Sequence, residues 1–262
     1  MVGRRLLSRV RPALGATALL GLLCCVTWAQ IAAPPQAVWT ASSDAPKDLL
    51  TAREPILHDQ FIERAKAGQI DVVFFGSTPA EMWLWPDRGR SVWDQTFGSL
   101  KAEGFGSAGT HFESLLWRMQ HGELDGYGAK LVVLHAENAF FAGQGIRFDG
   151  NVRDIDLNNY VSKYAAIIAE IRARQPQARI LLFGVFPRSK EGAEPVMLNA
   201  ALAALRNNNT VFFIDMSKRF FRADGSFEEG MWHLGPPDPG VQKLAFKAWA
   251  EELQPWLDRF VR

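Results

Sequence analysis

Cysteine is almost missing from this sequence: two occur in 262 residues, and both, Cys24 and Cys25, lie among the first 29. Everything downstream therefore has no disulfide to staple it, no thiolate nucleophile and no cysteine-ligated zinc, and its stability has to come from packing. Charge of one sign is missing too. Lys and Arg number 29 against 28 Asp and Glu, so nothing in the balance points to nucleic acid as a partner. Histidine is scarce, at five, with no second histidine or acid at ligand spacing, so the sequence calls for no metal and no cofactor. No internal repeat is found. What is present, 48% hydrophobic and 22% charged residues, is ordinary globular composition and excludes both a disordered chain and a collagen-like one.

The one long uncharged run lies at the start. Residues 1–29 carry Arg4, Arg5, Arg9 and Arg11, no acid, and then an apolar stretch from Pro12 to Ala29. This is the pattern of an export signal. Thr27 and Ala29 put small residues at −3 and −1 of a cleavage before Gln30, and an uncleaved signal anchor is the alternative. In both cases the arginines stay cytoplasmic and the rest crosses the membrane, giving a periplasmic or extracellular protein whose only membrane contact is this segment. Arg4-Arg5 resembles a twin-arginine signal weakly. A lipidated cysteine does not fit, because Leu23 precedes Cys24 and Cys24 precedes Cys25, where a small residue is needed. The segment takes four basic residues and no acidic one with it, so the remainder is mildly acidic. Residues 30–48, rich in Ala, Pro and Ser without an apolar period, read as a tether, and the folded domain is expected over 49–262.

Within that domain, continuous apolar runs mark strands at Ile70–Phe75, Leu131–His135, Ile180–Val185 and Val211–Ile214. Such runs are expected of central strands in a parallel sheet covered on both faces. Helical stretches fall at about 55–67, 110–121, 157–175, 195–207 and 239–258; in the third, Tyr160, Tyr164, Ile167, Ile168 and Ile171 form one buried stripe. Alternating strands and helices make a three-layer α/β/α domain. Ligands in such sheets sit beyond the carboxyl ends of the strands, which directs attention to FFGSTPAEMW (74–83), GFGSAGTHFESLLWRM (104–119), LHAENAFF (134–141) and GMWHLGPPDPG (230–240).

Those segments, with FIERAKAGQIDVVFFG, LLWRMQHGEL, AKLVVL and IRARQPQARILLFGVFPRS in order, resemble the SGNH (GDSL) hydrolases, in particular the branch containing the catalytic subunits of intracellular platelet-activating-factor acetylhydrolase. The resemblance runs from about His58 to the C-terminus. It implies a flavodoxin-like parallel five-stranded sheet and an esterase in which a serine of a Gly-Asp-Ser turn attacks an ester carbonyl. A histidine three residues after an aspartate would take the proton, and a glycine N–H and an asparagine would hold the oxyanion. Carried over, Gly76-Ser77-Thr78 occupies the nucleophile turn, Thr78 stands at the serine, Gly109 at the oxyanion glycine and His233 at the base. Asn138 matches the asparagine if a one-residue gap is allowed; an ungapped count gives Ala139.

Two departures fall inside this machinery. Thr78 replaces the serine, and a threonine can attack, although its methyl restricts the rotamer. Ser77, one residue away, would project from the opposite face. The aspartate position falls on Gly230, leaving Glu228, Glu229, Asp238 or a backbone carbonyl to orient His233; loss of that acid costs on the order of ten-thousand-fold in serine hydrolases. Each residue also has a plain structural role open to it: Thr78 or Asn138 as a helix cap, Gly109 in a tight turn, and His233 as an interior histidine. His111 and His135 read as structural. Trp93 and Trp117 read as core, Trp83 and Trp85 as core or as an aromatic platform for sugar rings or acyl chains, and Arg88-Gly89-Arg90 as solvated loop. The function expected is an exported esterase acting on small acyl esters, with O-acetyl groups of an envelope or secreted polysaccharide as the expected substrate. An O-acetyltransferase accessory uses the same parts. A catalytically degenerate relative that binds a glycan or partner without turnover is the alternative.

Overall fold

The computed structural model describes residues 53–137, 156–187, 193–224, 226–228 and 242–262, all in the second of the two units into which the chain divides, Pro34–Arg262. The signal segment, the tether, Asn138, Ala139, Glu229, Gly230, His233 and Asp238 lie outside the described residues. Five parallel strands form one sheet: β1 Val72–Gly76, β2 Ala102–Gly106, β3 Leu131–His135, β4 Arg179–Phe183 and β5 Val211–Ile214. Their order is β2-β1-β3-β4-β5, so the order of strands reverses between β1 and β3, which pair directly. That is the switch point where open α/β sheets place ligands.

Alternation along the strands builds the layers. Val73, Phe75, Val132, Leu134, Ile180 and Leu182 face one side, packed by α1 (Glu54–Lys66), α4 (Phe112–Arg118), α5 (Leu157–Arg174) and α6 (Ala193–Leu202). Val72, Phe74, Leu131, Val133, Leu181 and Phe183 face the other, packed by α3 (Arg90–Phe97) and α7 (Gln242–Phe260) with Trp83, Trp93 and Trp249. A short helix, α2 (Thr78–Met82), follows β1 directly. The expected stripe of α5 is buried residue for residue. Its start is fixed by Asp156, whose carboxylate accepts the Asn159 N–H at 3.0 Å, an N-cap bond that satisfies one orphan donor of the first turn.

The structure departs from the sequence reading in several places. β2, with the sequence AEGFG, has too few apolar residues to register as a strand, yet it forms the sheet edge. Its glycines admit close packing: a Cβ on Gly106 would stand 2.3 Å from the Glu81 nitrogen and 2.4 Å from the Ala80 carbonyl carbon. Arg90 opens helix α3 and Gly89 is buried, so the stretch read as solvated loop is half inside. Trp83 is wholly buried and belongs to the core, whereas Trp117 is half-exposed and stacks on His121 at 4.2 Å.

Candidate active site

Thr78 and Gly109 each follow the carboxyl end of one of two neighbouring strands. β1 and β2 pair in register through Gly76 and Gly106, and the chain then turns into α2 from one strand and into the loop Ser107–His111 from the other. The turn after β1 is shaped by Gly76 at φ +152°, where an added Cβ would press on Ala80 and on His135 at 3.1 and 3.2 Å. Ser77 then occupies the N-cap position without a side-chain cap bond, and Thr78 begins the helix with Pro79 behind it. Thr78 is therefore not a cap.

The two hydroxyls of this turn have different surroundings. Ser77 is completely buried, its Oγ has no partner among the described residues, and it faces a cavity of about 10 Å³ with Thr110, Phe112, Leu115 and Tyr164. That space holds about one water and no ester. Thr78 is half-buried, its hydroxyl engages no described residue, and its N–H, at the first position of a helix, has no acceptor within the helix. Of the two, Thr78 is the hydroxyl a substrate can reach.

Gly109 has φ +82°, a backbone region costly for residues with a Cβ. In its loop the Ser107 N–H donates to Gly76 O at 3.2 Å and the Thr110 N–H to Ser107 O at 3.1 Å, while the Ala108 N–H donates to Glu81 Oε2. Among the described residues the Gly109 N–H has no acceptor. A backbone N–H without an acceptor among the described residues, on the loop after the strand that neighbours β1, is the kind of donor that can hold an oxyanion.

Three carboxylates surround this pair, none of them singled out by sequence. Glu81, one turn along α2 from Thr78, is bound by Arg53 at 2.7 Å and by Trp85 Nε1 at 3.2 Å. Glu54 accepts the Thr110 hydroxyl and lies 3.3 Å from Arg118 Nε in a fully buried ion group that continues to Glu123, which His58 also contacts at 2.8 Å. Glu137, just past β3, accepts the Ser77 N–H at 3.2 Å and stands 3.3 Å from His135 Nδ1. Burial first, and then the charge of Glu137, push the hydroxyl of Tyr164 above its ordinary range, so it stays protonated. Its oxygen accepts the Glu137 N–H at 2.7 Å. His135 packs against Phe186 and Trp249 at ring distances of 4.3 and 5.0 Å, in keeping with a structural role.

Asn138 and His233 lie outside the described residues, as do Glu229 and Asp238 from the set of possible aspartate substitutes. Glu228 is held by Arg222 in two bonds of 2.8 and 2.9 Å. Trp85 lines an open groove of about 440 Å³ together with Leu57, Phe61, Arg64, Glu81 and Gly106, beside the oxyanion loop. A larger groove, lined by Lys130, Arg174 and Arg179, lies at the opposite, amino-terminal end of the strands. No group of three or more His, Cys, Asp or Glu among the described residues is placed to hold a metal ion.

Comparison with known proteins follows the same lines. No family model matches the chain. Its sequence is 26% identical over 175 residues to the platelet-activating factor acetylhydrolase IB subunit alpha1 of Bos taurus, covering 65% of this chain and 68% of that one. A GDSL-like lipase of Bacteroides thetaiotaomicron superposes with a TM-score of 0.56 at 15% identity, over 77% of this chain and 97% of the other. A lipolytic G-D-S-L protein of Veillonella parvula gives 0.52 at 12% identity, over 73% and 100%.

Proposed function

We propose that the chain, which is similar to SGNH/GDSL ester hydrolases, cleaves acyl esters with Thr78 as nucleophile. The observation that carries this reading is the pairing of a half-buried Thr78 hydroxyl, which engages no described residue, with the Gly109 N–H of the adjacent loop, which has no acceptor among the described residues. In the first half-reaction Thr78 Oγ1 bonds to the carbonyl carbon as His233 removes its proton. The Gly109 and Thr78 N–H groups, with Asn138, hold the tetrahedral oxyanion. Collapse breaks the bond to the alcohol, which leaves with the proton from His233. Water then attacks the acyl-threonine by the same steps, releasing the acid and restoring the hydroxyl. With Gly230 at the aspartate position, His233 is oriented by Glu229, Asp238 or a backbone carbonyl, and the expected turnover is slow.

The substrate class proposed is an O-acetylated glycan of an envelope or secreted polysaccharide, met outside the cytoplasm. The export pattern of residues 1–29 supports the compartment. Half-buried Trp85, in a groove that also carries arginine and carboxylate side chains, supports the glycan, since an aromatic face flanked by polar groups suits a sugar ring. Transfer of the acetyl group to a sugar hydroxyl instead of water needs no other residues. Fractionation with N-terminal sequencing tests the compartment: a mature chain beginning at Gln30, or an intact membrane-held chain, agrees with it, and an intact cytoplasmic chain contradicts it.

One observation favours binding without turnover: the Glu137 carboxylate accepts the N–H of Ser77, the residue before Thr78, at 3.2 Å and so brings negative charge to the nucleophile turn. Assays of p-nitrophenyl acetate and acetylated oligosaccharides separate the readings. Catalysis predicts turnover that falls to background in Thr78→Ala and His233→Ala and rises in Thr78→Ser. A silent wild type that Thr78→Ser switches on favours binding alone.

A further inference from the structure

The oxyanion loop is gripped from both flanks by carboxylates, and the two grips start from adjacent residues. The peptide joining Ser107 to Ala108 is held at both ends: its C=O accepts the Thr110 N–H at 3.1 Å and its N–H donates to Glu81. Glu81 is buried, and its second oxygen is occupied by Arg53 at 2.7 Å and Trp85 at 3.2 Å. On the far side of Gly109 the Thr110 hydroxyl donates to Glu54, which Arg118 faces at 3.3 Å with both side chains fully buried. Arg53 and Glu54 are consecutive at the start of α1. The residue between the grips, Gly109, is the one whose backbone has the widest freedom, and its N–H is left over for substrate.

We infer that Glu81, and Glu54 through Thr110, are positioning residues for acyl transfer, an inference that rests on Gly109 being the oxyanion donor. Neither touches substrate. Glu81 sits three residues after Thr78 on α2, so its bond to Ala108 ties the helix that begins with the nucleophile to the loop that bears the donor and sets the spacing between them. An oxyanion donor works only when it already points at the place where charge develops, and a misplacement of about 1 Å can cost on the order of a hundredfold in rate. Glu81 also accepts the neighbouring Ala108 N–H, which keeps that group from turning outward as a competing donor.

The test uses the full chain, with kcat and KM for p-nitrophenyl acetate and the inhibition constant of phenylboronic acid, a tetrahedral anionic mimic. Glu81→Ala is expected to lower kcat roughly tenfold or more with KM within about twofold, and to weaken phenylboronic acid in proportion. Glu81→Gln keeps an oxygen for Ala108 and should recover kcat to within about threefold of wild type. Thr110→Val should lower kcat several-fold, while Thr110→Ser, which keeps the hydroxyl, should not. A kcat for Glu81→Ala within twofold of wild type, or an equal loss in Glu81→Ala and Glu81→Gln, overturns the inference. If Glu81→Ala does not fold, the threonine pair decides, and an unchanged Thr110→Val overturns it. Activity that vanishes in Thr78→Ala but survives in Glu81→Ala refutes the positioning role alone. A wild type that neither turns over nor binds phenylboronic acid refutes the oxyanion reading, and this inference falls with it.

Discussion

Two adjacent hydroxyls, Ser77 and Thr78, show how much one residue of register decides at the end of a strand. Ser77 is sealed, and its Oγ has no partner among the described residues. Ser77→Ala should keep kcat within about threefold and, by removing a buried hydroxyl with no described partner, should leave the melting temperature unchanged or raised. The reverse holds at Gly109. Gly109→Ala forces a Cβ onto φ +82°, a strain of about 1–2 kcal/mol, and turns the N–H aside, so kcat for p-nitrophenyl acetate should fall by more than the loss in denaturant stability accounts for. Thr78 and Gly109 are the positions that the order of the surrounding motifs singles out in sequence. Glu81 stood in plain view within the same motif and was not singled out. Its role is to accept a backbone N–H 27 residues further along the chain, and that contact depends on how closely α2 approaches β2, which no local pattern encodes.

That approach belongs to the scale of elements. Gly106 lets α2 rest on the end of β2, and a side chain there would meet backbone atoms, which cannot swing away as a side chain can. Gly106→Ala should therefore cost about 1–3 kcal/mol in urea unfolding, as overpacking does, and should lower kcat as well, because the helix that yields begins with Thr78. The elements that sequence missed share one cause. β2 is an edge strand with two glycines and a charge, and α3 is short, so neither has the apolar run or the long period by which β3 and α5 are recognised. Trp83 was ambiguous for the same reason: only the packing of α3 and α7 against the sheet shows that the ring sits among Phe97, Phe246 and Trp249.

For the molecule as a whole, the three-layer fold was legible because the central strands are apolar on both faces, leaving a parallel sheet with helices on each side as the economical solution. The order of strands cannot be read from such runs and came only with the family resemblance. Without disulfides, stability depends on the buried interior and on the polar groups enclosed in it. Tyr164 is the clearest case. Its folded-state pKa is raised, so the folded protein keeps a proton that the unfolded chain releases above pH 10. Stability is thus fully present below about pH 10 and falls above it, by at most about 1.4 kcal/mol per pH unit for this group. Urea midpoints measured from pH 9 to 11 should decline less steeply in Tyr164→Phe than in wild type.

All of this rests on Thr78 being the residue that attacks. Fluorophosphonates react with activated hydroxyl nucleophiles and stay attached, so labelling the full chain and sequencing its peptides by mass spectrometry reads the site directly. A phosphonyl group on Thr78, lost in His233→Ala, is the result predicted. A label on Ser77, or labelling of Thr78 undiminished in His233→Ala, would contradict it.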